Sequence, residues 1–262
     1  METILKTVID AAWDAGTLIL KYYKSEYEIK DKGYHNPVTT ADHASNALLK
    51  KILSETYPDY GWLSEETVDS PERLSKDRVW VVDPLDGTKE FIEGVPNFVV
   101  SIALVENGKP ILGVLFNPVT QETFSAIKNG GAYLNKEPIH CTQKDDTADM
   151  VILNSRSETR RGLWDSYQDS FLRCDAVGSV AYKLGLTAAG KSDIFATLRP
   201  KNEWDVCAGH CLINEAGGKM VSTKGKELTY NNENTLFTPG LVAGNPRAVE
   251  KTLSVIESKS ND

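Results

Sequence analysis

The densest chemistry in the sequence lies in the run Val79 to Phe91, VWVVDPLDGTKEF. An apolar strand would deliver Asp83 to its carboxyl end, and Pro84 fixes its own φ while steering Asp83 away from helical backbone. Asp86 follows three residues later, so one turn can present both carboxylates and the Leu85 carbonyl to a hard, oxygen-seeking cation such as Mg2+. Gly87 and Thr88 can then open a helix whose free N–H groups would cradle a phosphate. Cation ligands and an anion cradle thus fall within six residues. The same letters also suit a plain surface turn, because Asp-Pro and Asp-Gly are common turn dipeptides and Asp86 could serve only as a helix cap.

Two further acidic sites bear on that choice. Ser64-Glu65-Glu66 follows the apolar segment Tyr60 to Leu63, and adjacent carboxylates at a strand end repel one another unless a cation or solvent compensates. Glu203-Trp204-Asp205 begins a helical stretch that continues to Gly217-Gly218, where Asp205 also suits the role of a dipole-favoured acid. Taken singly, each of these acids fits a structural role.

The elements that must position these groups follow from periodicity. Ile4, Leu5, Val8, Ala12, Ala15, Leu18, Ile19 and Tyr22 recur at helical spacing and predict an amphipathic first helix of about 20 residues. After a turn at Asn36-Pro37, a second helix runs from about Thr40 through Ile52, ended by Pro58, with Asp42 in its first turn. Short strands are expected at Tyr60–Leu63, Val79–Val82, Val99–Val105 and Ile111–Asn117, with Asn107-Gly108 as a hairpin signal. This half reads as helices on an antiparallel sheet. The polar stretch Thr142 to Asp149 is the expected linker, dividing an N-terminal subdomain 1–145 from a C-terminal subdomain 146–262. Beyond it, strands at Met150–Leu153 and Asp193–Thr197 alternate with helices at Arg160–Ser170, Gly178–Ala189 and Trp204–Ala216, the pattern of an α/β layer.

Composition narrows the class. The 262 residues are an ordinary globular mixture, and a chain of this size buries about 70 to 75% of its unfolded surface without disulfides or structural metals. The 29 Lys and Arg against 37 Asp and Glu leave a net charge of −8, which argues against a partner such as a nucleic-acid polymer. The longest apolar stretch, Phe98 to Val105, falls far short of the roughly 20 residues of a membrane helix, so no membrane association is expected. The opening METILKTVIDAAWDAG lacks a basic start and an apolar core, and reads as the first helix of a cytoplasmic protein. The four cysteines are expected as reduced thiols.

Taken in order, Asp42, Glu65-Glu66, Asp83-Pro84-Leu85-Asp86-Gly87-Thr88, Trp204-Asp205 and Gly217-Gly218 resemble the motif set of the inositol monophosphatase superfamily, the lithium-sensitive Mg2+-dependent phosphatases, across nearly the whole chain. Lys89-Glu90-Phe91 and Asn202-Glu203-Trp204-Asp205 look more like its 3′(2′),5′-bisphosphate nucleotidase branch than like inositol monophosphatases, which usually continue with Thr-Asn-Phe. The resemblance implies a layered α-β-α-β-α sandwich. It implies two or three Mg2+ ions per site, with Glu65, Asp83 and the Leu85 carbonyl on one ion and Asp83, Asp86 and Asp205 on a second. Their four negative charges would be cancelled by two divalent cations, making an acidic pocket receptive to phosphate. The attacking water would be oriented by Glu65 and Thr88, with the Thr88 hydroxyl held by Asp42. Asp86, Gly87, Thr88, Lys89, Gly178, Ser179 and Asp205 would contact a small anionic phosphorylated substrate, and a homodimer is admitted. The expected reaction is hydrolysis of the 3′-phosphate of 3′-phosphoadenosine 5′-phosphate, with an inositol monophosphatase or sugar-phosphate phosphatase as the alternative. A non-catalytic nucleotide-binding regulator stands further off. Arg199, Lys201, Lys89 and Lys183 are the candidate cations for a second phosphate, and Gly178-Ser179 also reads as a plain helix start.

Two motifs compete with this reading. Gly185 to Ser192, GLTAAGKS, spells a P-loop, but a P-loop follows a strand and opens a helix, whereas here a helical stripe runs into the pattern and a strand leaves it. Cys207, His210 and Cys211 share one helical face at soft-metal spacing, yet no fourth ligand lies nearby, so buried small side chains are the expectation. His35, His43 and His140 fall outside the motif set and are expected to be solvated or structural.

Overall fold

The computed structural model describes residues 1–31, 33 and 37–260; His35 and Asn36, and with Asn36 the turn expected there, lie outside the described residues. From the amino end the chain forms α1 (Glu2–Tyr22), β1 (Ile29–Asp31), β2 (Pro37–Thr39) and α2 (Thr40–Thr56). Then come β3 (Gly61–Ser64), β4 (Arg78–Asp86), α3 (Thr88–Ile92), β5 (Val99–Glu106), β6 (Lys109–Asn117), β7 (Glu122–Ile127), β8 (Ala132–Leu134) and β9 (Glu137–Ile139). The second half holds β10 (Val151–Ser155), α4 (Arg156–Thr159), β11 (Arg173–Val177), α5 (Val180–Ala188), β12 (Ile194–Thr197), β13 (Lys201–Asn202) and α6 (Glu203–Glu215). It closes with β14 (Lys219–Ser222), β15 (Leu236–Phe237), β16 (Leu241–Gly244) and α7 (Pro246–Ser260).

The layers follow from two-residue alternation along the strands. On β4, Trp80 and Val82 point to one face of a seven-stranded sheet, where they pack with Val8, Ala12 and Ile19 of α1 and Leu49 and Leu53 of α2. Val79 and Val81 point to the other face, against Ala181 and Leu184 of α5 and Ala208 and Leu212 of α6. The same cluster reaches Phe195 and Ala243 on a second, five-stranded sheet ordered β11-β10-β12-β16-β14. The far face of that sheet buries Ile152, Ile194 and Val242 against Ala248, Val249 and Ile256 of α7. Five layers result, α-β-α-β-α, with α5 and α6 sandwiched between the sheets, as the sequence resemblance implied.

Three details differ from the sequence reading. The first sheet is mixed, because β3 runs parallel to β4 while the remaining pairs are antiparallel. The parallel pair is reached by the crossover through Pro71–Ser75 rather than by a hairpin. The helix expected over Arg160–Ser170 is instead a turn that follows the four-residue α4, and then a 3-10 helix at Asp165–Ser170. Gly162 at φ +71° breaks the helical path, and Trp164, Tyr167 and Phe171 bury themselves as a turn against the second sheet. Short strands such as β8, β13 and β15 carry too few residues to leave a period in the sequence. Among the described residues, no helix is long and apolar enough to cross a membrane.

Candidate active site

The site begins at a defect in β4. Asp83 pairs with Ser101 and Asp86 with Val99, so one extra residue is accommodated between the two aspartates. Pro84 has no N–H to offer a neighbouring strand and is tolerated at such a bulge. Asp83 Oδ1 accepts the Leu85 N–H at 3.0 Å, folding the turn back on itself. Gly87 then caps α3 at φ +106°, a conformation that disfavours side chains; a Cβ there would also fall 2.8 Å from the Asn97 carbonyl oxygen.

Helix α2 supplies the next partner. Thr39 caps it, and Asp42 completes the capping box, its Oδ2 accepting from the Thr39 N–H at 2.8 Å and the Thr39 hydroxyl at 2.6 Å. Asp42 Oδ1 is thereby left to accept from Thr88 Oγ1 at 2.9 Å. From the second half, Ser179 and the Ala181 N–H both donate to Asp86 Oδ2. Asp205 closes the capping box of α6, its Oδ2 accepting the Asn202 N–H at 2.9 Å. Glu65 leaves the end of β3 with its N–H on the Val82 carbonyl at 3.3 Å.

These elements enclose a cavity of about 280 Å³. Glu65, Asp83, Leu85, Asp86, Gly87, Thr88, Lys89, Gly178, Ser179 and Asp205 all line it, and Asp42 stands behind Thr88. Burial, and then repulsion from Glu65, Asp86 and Asp205, holds the Asp83 carboxyl well above the usual range. Burial and then repulsion from Asp86 and Glu65 push Asp205 up to about 8. Burial raises Asp86 too, opposed by the Ser179 and Ala181 bonds and by Lys183. Among the described residues no three His, Cys, Asp or Glu side chains close on one point. Hard anionic oxygens that repel one another, each aspartate with one oxygen fixed by a protein N–H or hydroxyl and the other without a hydrogen bond among the described residues, form a donor set that suits Mg2+.

Of the cations expected around a second phosphate, Lys89, Lys183 and Lys201 line the cavity and Arg199 does not; its side chain is exposed elsewhere. Lys183 is buried and donates to the carbonyls of Val177 and Ser179, at 2.8 and 2.7 Å. Burial pulls its ammonium down to about 8 against the attraction of Asp86 and Glu90. The sequence reading missed Arg156 and Arg160, which also line the cavity. Their signal was the basic run Arg156 to Arg161 just after a strand, obscured by reading a helix from Arg160 onward. Glu90 was noted only as part of a motif, yet it is a buried wall of the cavity.

The competing motifs lie elsewhere. Gly185 to Ser192 is the end of α5 and the turn into β12, with Gly190 at φ +66° and Lys191 paired with Glu122. Cys207 and Cys211 are buried in α6, and His210 Nδ1 meets the Tyr230 hydroxyl at 2.8 Å.

The model of the inositol monophosphatase family matches residues 1–260. Over 273 aligned residues the chain is 32% identical to Nus factor SuhB of Escherichia coli K12, covering 100% of this chain and 98% of the relative. It is 32% identical to a fructose-1,6-bisphosphatase/inositol-1-monophosphatase of Thermotoga maritima, covering 81% and 82% of the two chains. A solved Thermotoga maritima inositol monophosphatase superposes with a TM-score of 0.88 at 27% identity, covering 100% of this chain and 99% of that one. On sequence, fold and coverage together, the chain belongs to the inositol monophosphatase family, whose members are Mg2+-dependent phosphatases.

Proposed function

We propose that the chain is a phosphomonoesterase that hydrolyses small polyol or sugar phosphates, inositol phosphate among them, by direct attack of water. The observation that carries this reading is the meeting of Glu65, Asp83, Asp86 and Asp205 with the Gly87-Thr88 turn in one cavity. The name of the Thermotoga maritima relative supports the substrate class. In this reading Glu65, Asp83 and the Leu85 carbonyl would hold one Mg2+, and Asp83, Asp86 and Asp205 would hold a second, two or three ions in all. When bound, the ions supply Lewis acidity and cancel the pocket's negative charge.

The chain's own residues do the positioning. Because Thr88 Oγ1 gives its proton to Asp42, its lone pairs are available to accept from a water on the cavity side. Glu65 accepts that water's second proton and completes its orientation toward phosphorus. Gly87, Lys89 and Ser179 surround the phosphoryl oxygens. Asp205 belongs to the C-terminal subdomain 146–262 and the other carboxylates to 1–145, so the site forms only when both halves are folded together.

A second reading, cleavage of the 3′-phosphate of 3′-phosphoadenosine 5′-phosphate, is favoured by one observation. Three lysines, Lys89, Lys183 and Lys201, line the cavity, and Arg156 and Arg160 add N–H donors whose charge Glu90 and Glu93 balance, a supply suited to an anionic group besides the one cleaved. Phosphate release from inositol 1-phosphate, fructose 1,6-bisphosphate and adenosine 3′,5′-bisphosphate, with Mg2+ and with or without Li+, separates the two. A higher kcat/KM for the polyol and sugar phosphates supports the first reading, and a preference for the nucleotide replaces it with the second.

A further inference from the structure

Arg156 opens α4 in the second half of the chain, directly after β10. Its guanidinium crosses to α3 in the first half, where Nη1 donates to Glu90 Oε1 at 2.9 Å and Nη2 lies 2.6 Å from Glu93 Oε2. Arg160 adds a looser contact to Glu93 at 3.9 Å. Two arginines and two glutamates make this cluster neutral, so it offers directed N–H groups rather than net charge. Glu90 is also wedged against the opposite wall: a Cβ on Gly178 would fall 2.2 Å from Glu90 Cδ and Cγ. Gly178 precedes Ser179, which clamps Asp86. The Glu90 carboxyl therefore lies between the guanidinium and the turn that carries Ser179, and Glu90 and Arg156 both line the cavity.

We infer that Arg156 is a specificity-determining contact, donating to an acceptor oxygen on the alcohol portion of the substrate, and that Glu90 is the positioning residue that aims it. The inference rests on the phosphatase reading above. A guanidinium forked across two carboxylates has given up its rotamer freedom before the ligand arrives, and its planar donor set leaves N–H groups free for a further acceptor. Such a contact acts on binding of the whole substrate and not on the cleaved bond, so its loss appears in KM.

The test measures KM, kcat and Mg2+ half-saturation for wild type, Glu90→Gln, Arg156→Lys and the double variant, on the preferred substrate and on phenyl phosphate, whose alcohol portion carries no oxygen beyond the ester. Glu90→Gln keeps the size of the wedged side chain, and Arg156→Lys probes the same contact from the other partner should the first fold poorly. On the preferred substrate, each single variant should raise KM about tenfold with kcat within about threefold and Mg2+ half-saturation unchanged. The double variant should be no worse than Arg156→Lys, because Glu90 acts through Arg156. On phenyl phosphate KM should not move. Equal KM shifts on both substrates, no shift on either, or a changed Mg2+ dependence would overturn the inference. A wild type that is active while the variants are unshifted defeats this inference alone; a wild type inactive on every phosphomonoester defeats the underlying reading as well.

Discussion

Thr88 Oγ1 donates to Asp42 Oδ1 at 2.9 Å, a bond between residues 46 apart that ties the first turn of α2 to the start of α3. Asp42 is buried and spends its other oxygen on Thr39, so it is the nearer acceptor of the Thr88 proton, from behind the cavity, with the Leu85 carbonyl at 3.3 Å as the longer one. Thr88→Val keeps the side-chain shape and removes this hydroxyl. Its kcat should fall about 100-fold or more with Mg2+ half-saturation little changed, and Thr88→Ser should recover most of the rate. Equal losses in the valine and serine variants would show that shape, not the hydroxyl, matters there.

The carboxylate cluster makes the metal-free protein sensitive to alkali. Asp205 holds its proton up to about 8 when folded, while an unfolded aspartate releases it near about 4. Between those values the folded chain carries a proton that the unfolded chain has lost, so stability falls as pH rises through the window. In EDTA the thermal midpoint should therefore drop between pH 5 and pH 8. Asp205→Asn should flatten that drop and raise the midpoint at pH 8 by about 3 °C, while costing activity. A slope unchanged by the substitution would detach Asp205 from the repulsive cluster.

Arg73 and Glu203 hold the segments that carry Glu65 and Asp205 to a common turn. Buried Arg73 donates to Asp69, to Asn231 Oδ1 at 2.6 Å and to the Asn232 carbonyl at 2.9 Å. Fully buried Glu203 accepts from the Asn231 and Asn232 N–H groups at 2.7 and 2.9 Å and from Asn232 Nδ2 at 2.8 Å. Removing either side chain leaves part-buried polar groups unpaired, so Arg73→Ala or Glu203→Ala should cost about 2–3 kcal/mol in denaturant unfolding. A loss below about 1 kcal/mol would mean that water replaces these bonds.

Lys191 belongs to a P-loop spelling that the fold places at the end of α5, facing Glu122. Lys191→Ala should leave phosphate release within about twofold of wild type, since exposed ion pairs contribute little. A drop of an order of magnitude would reopen a role for that segment.

What could be read from the sequence was what local chemistry writes into it. Asp83, Asp86 and Gly87 stand within one turn, and the alternation of Val79 to Val82 fixes the faces of β4. The Asp42 bond to Thr88 entered only through resemblance, because nothing local relates residues 46 apart. Arg156 and Glu90 were not legible as a pair: they sit on short elements from opposite halves, and only the stacking of the two sheets brings them within 2.9 Å. The expectation of a helix over 160–170 failed because apolar spacing at Trp164, Tyr167 and Phe171 is equally served by a turn and a 3-10 helix around Gly162.

The central claim is that the clustered carboxylates make phosphomonoester hydrolysis depend on a divalent cation. Its most direct test is the initial rate of phosphate release, titrated with Mg2+ from EDTA upward, for wild type and Asp83→Asn. The account predicts wild type silent in EDTA and restored by Mg2+, with Asp83→Asn slower by about a thousandfold at saturating Mg2+ because Asp83 would serve both ions of the proposed site. Release that persists in EDTA, or near-normal turnover by Asp83→Asn, would contradict it.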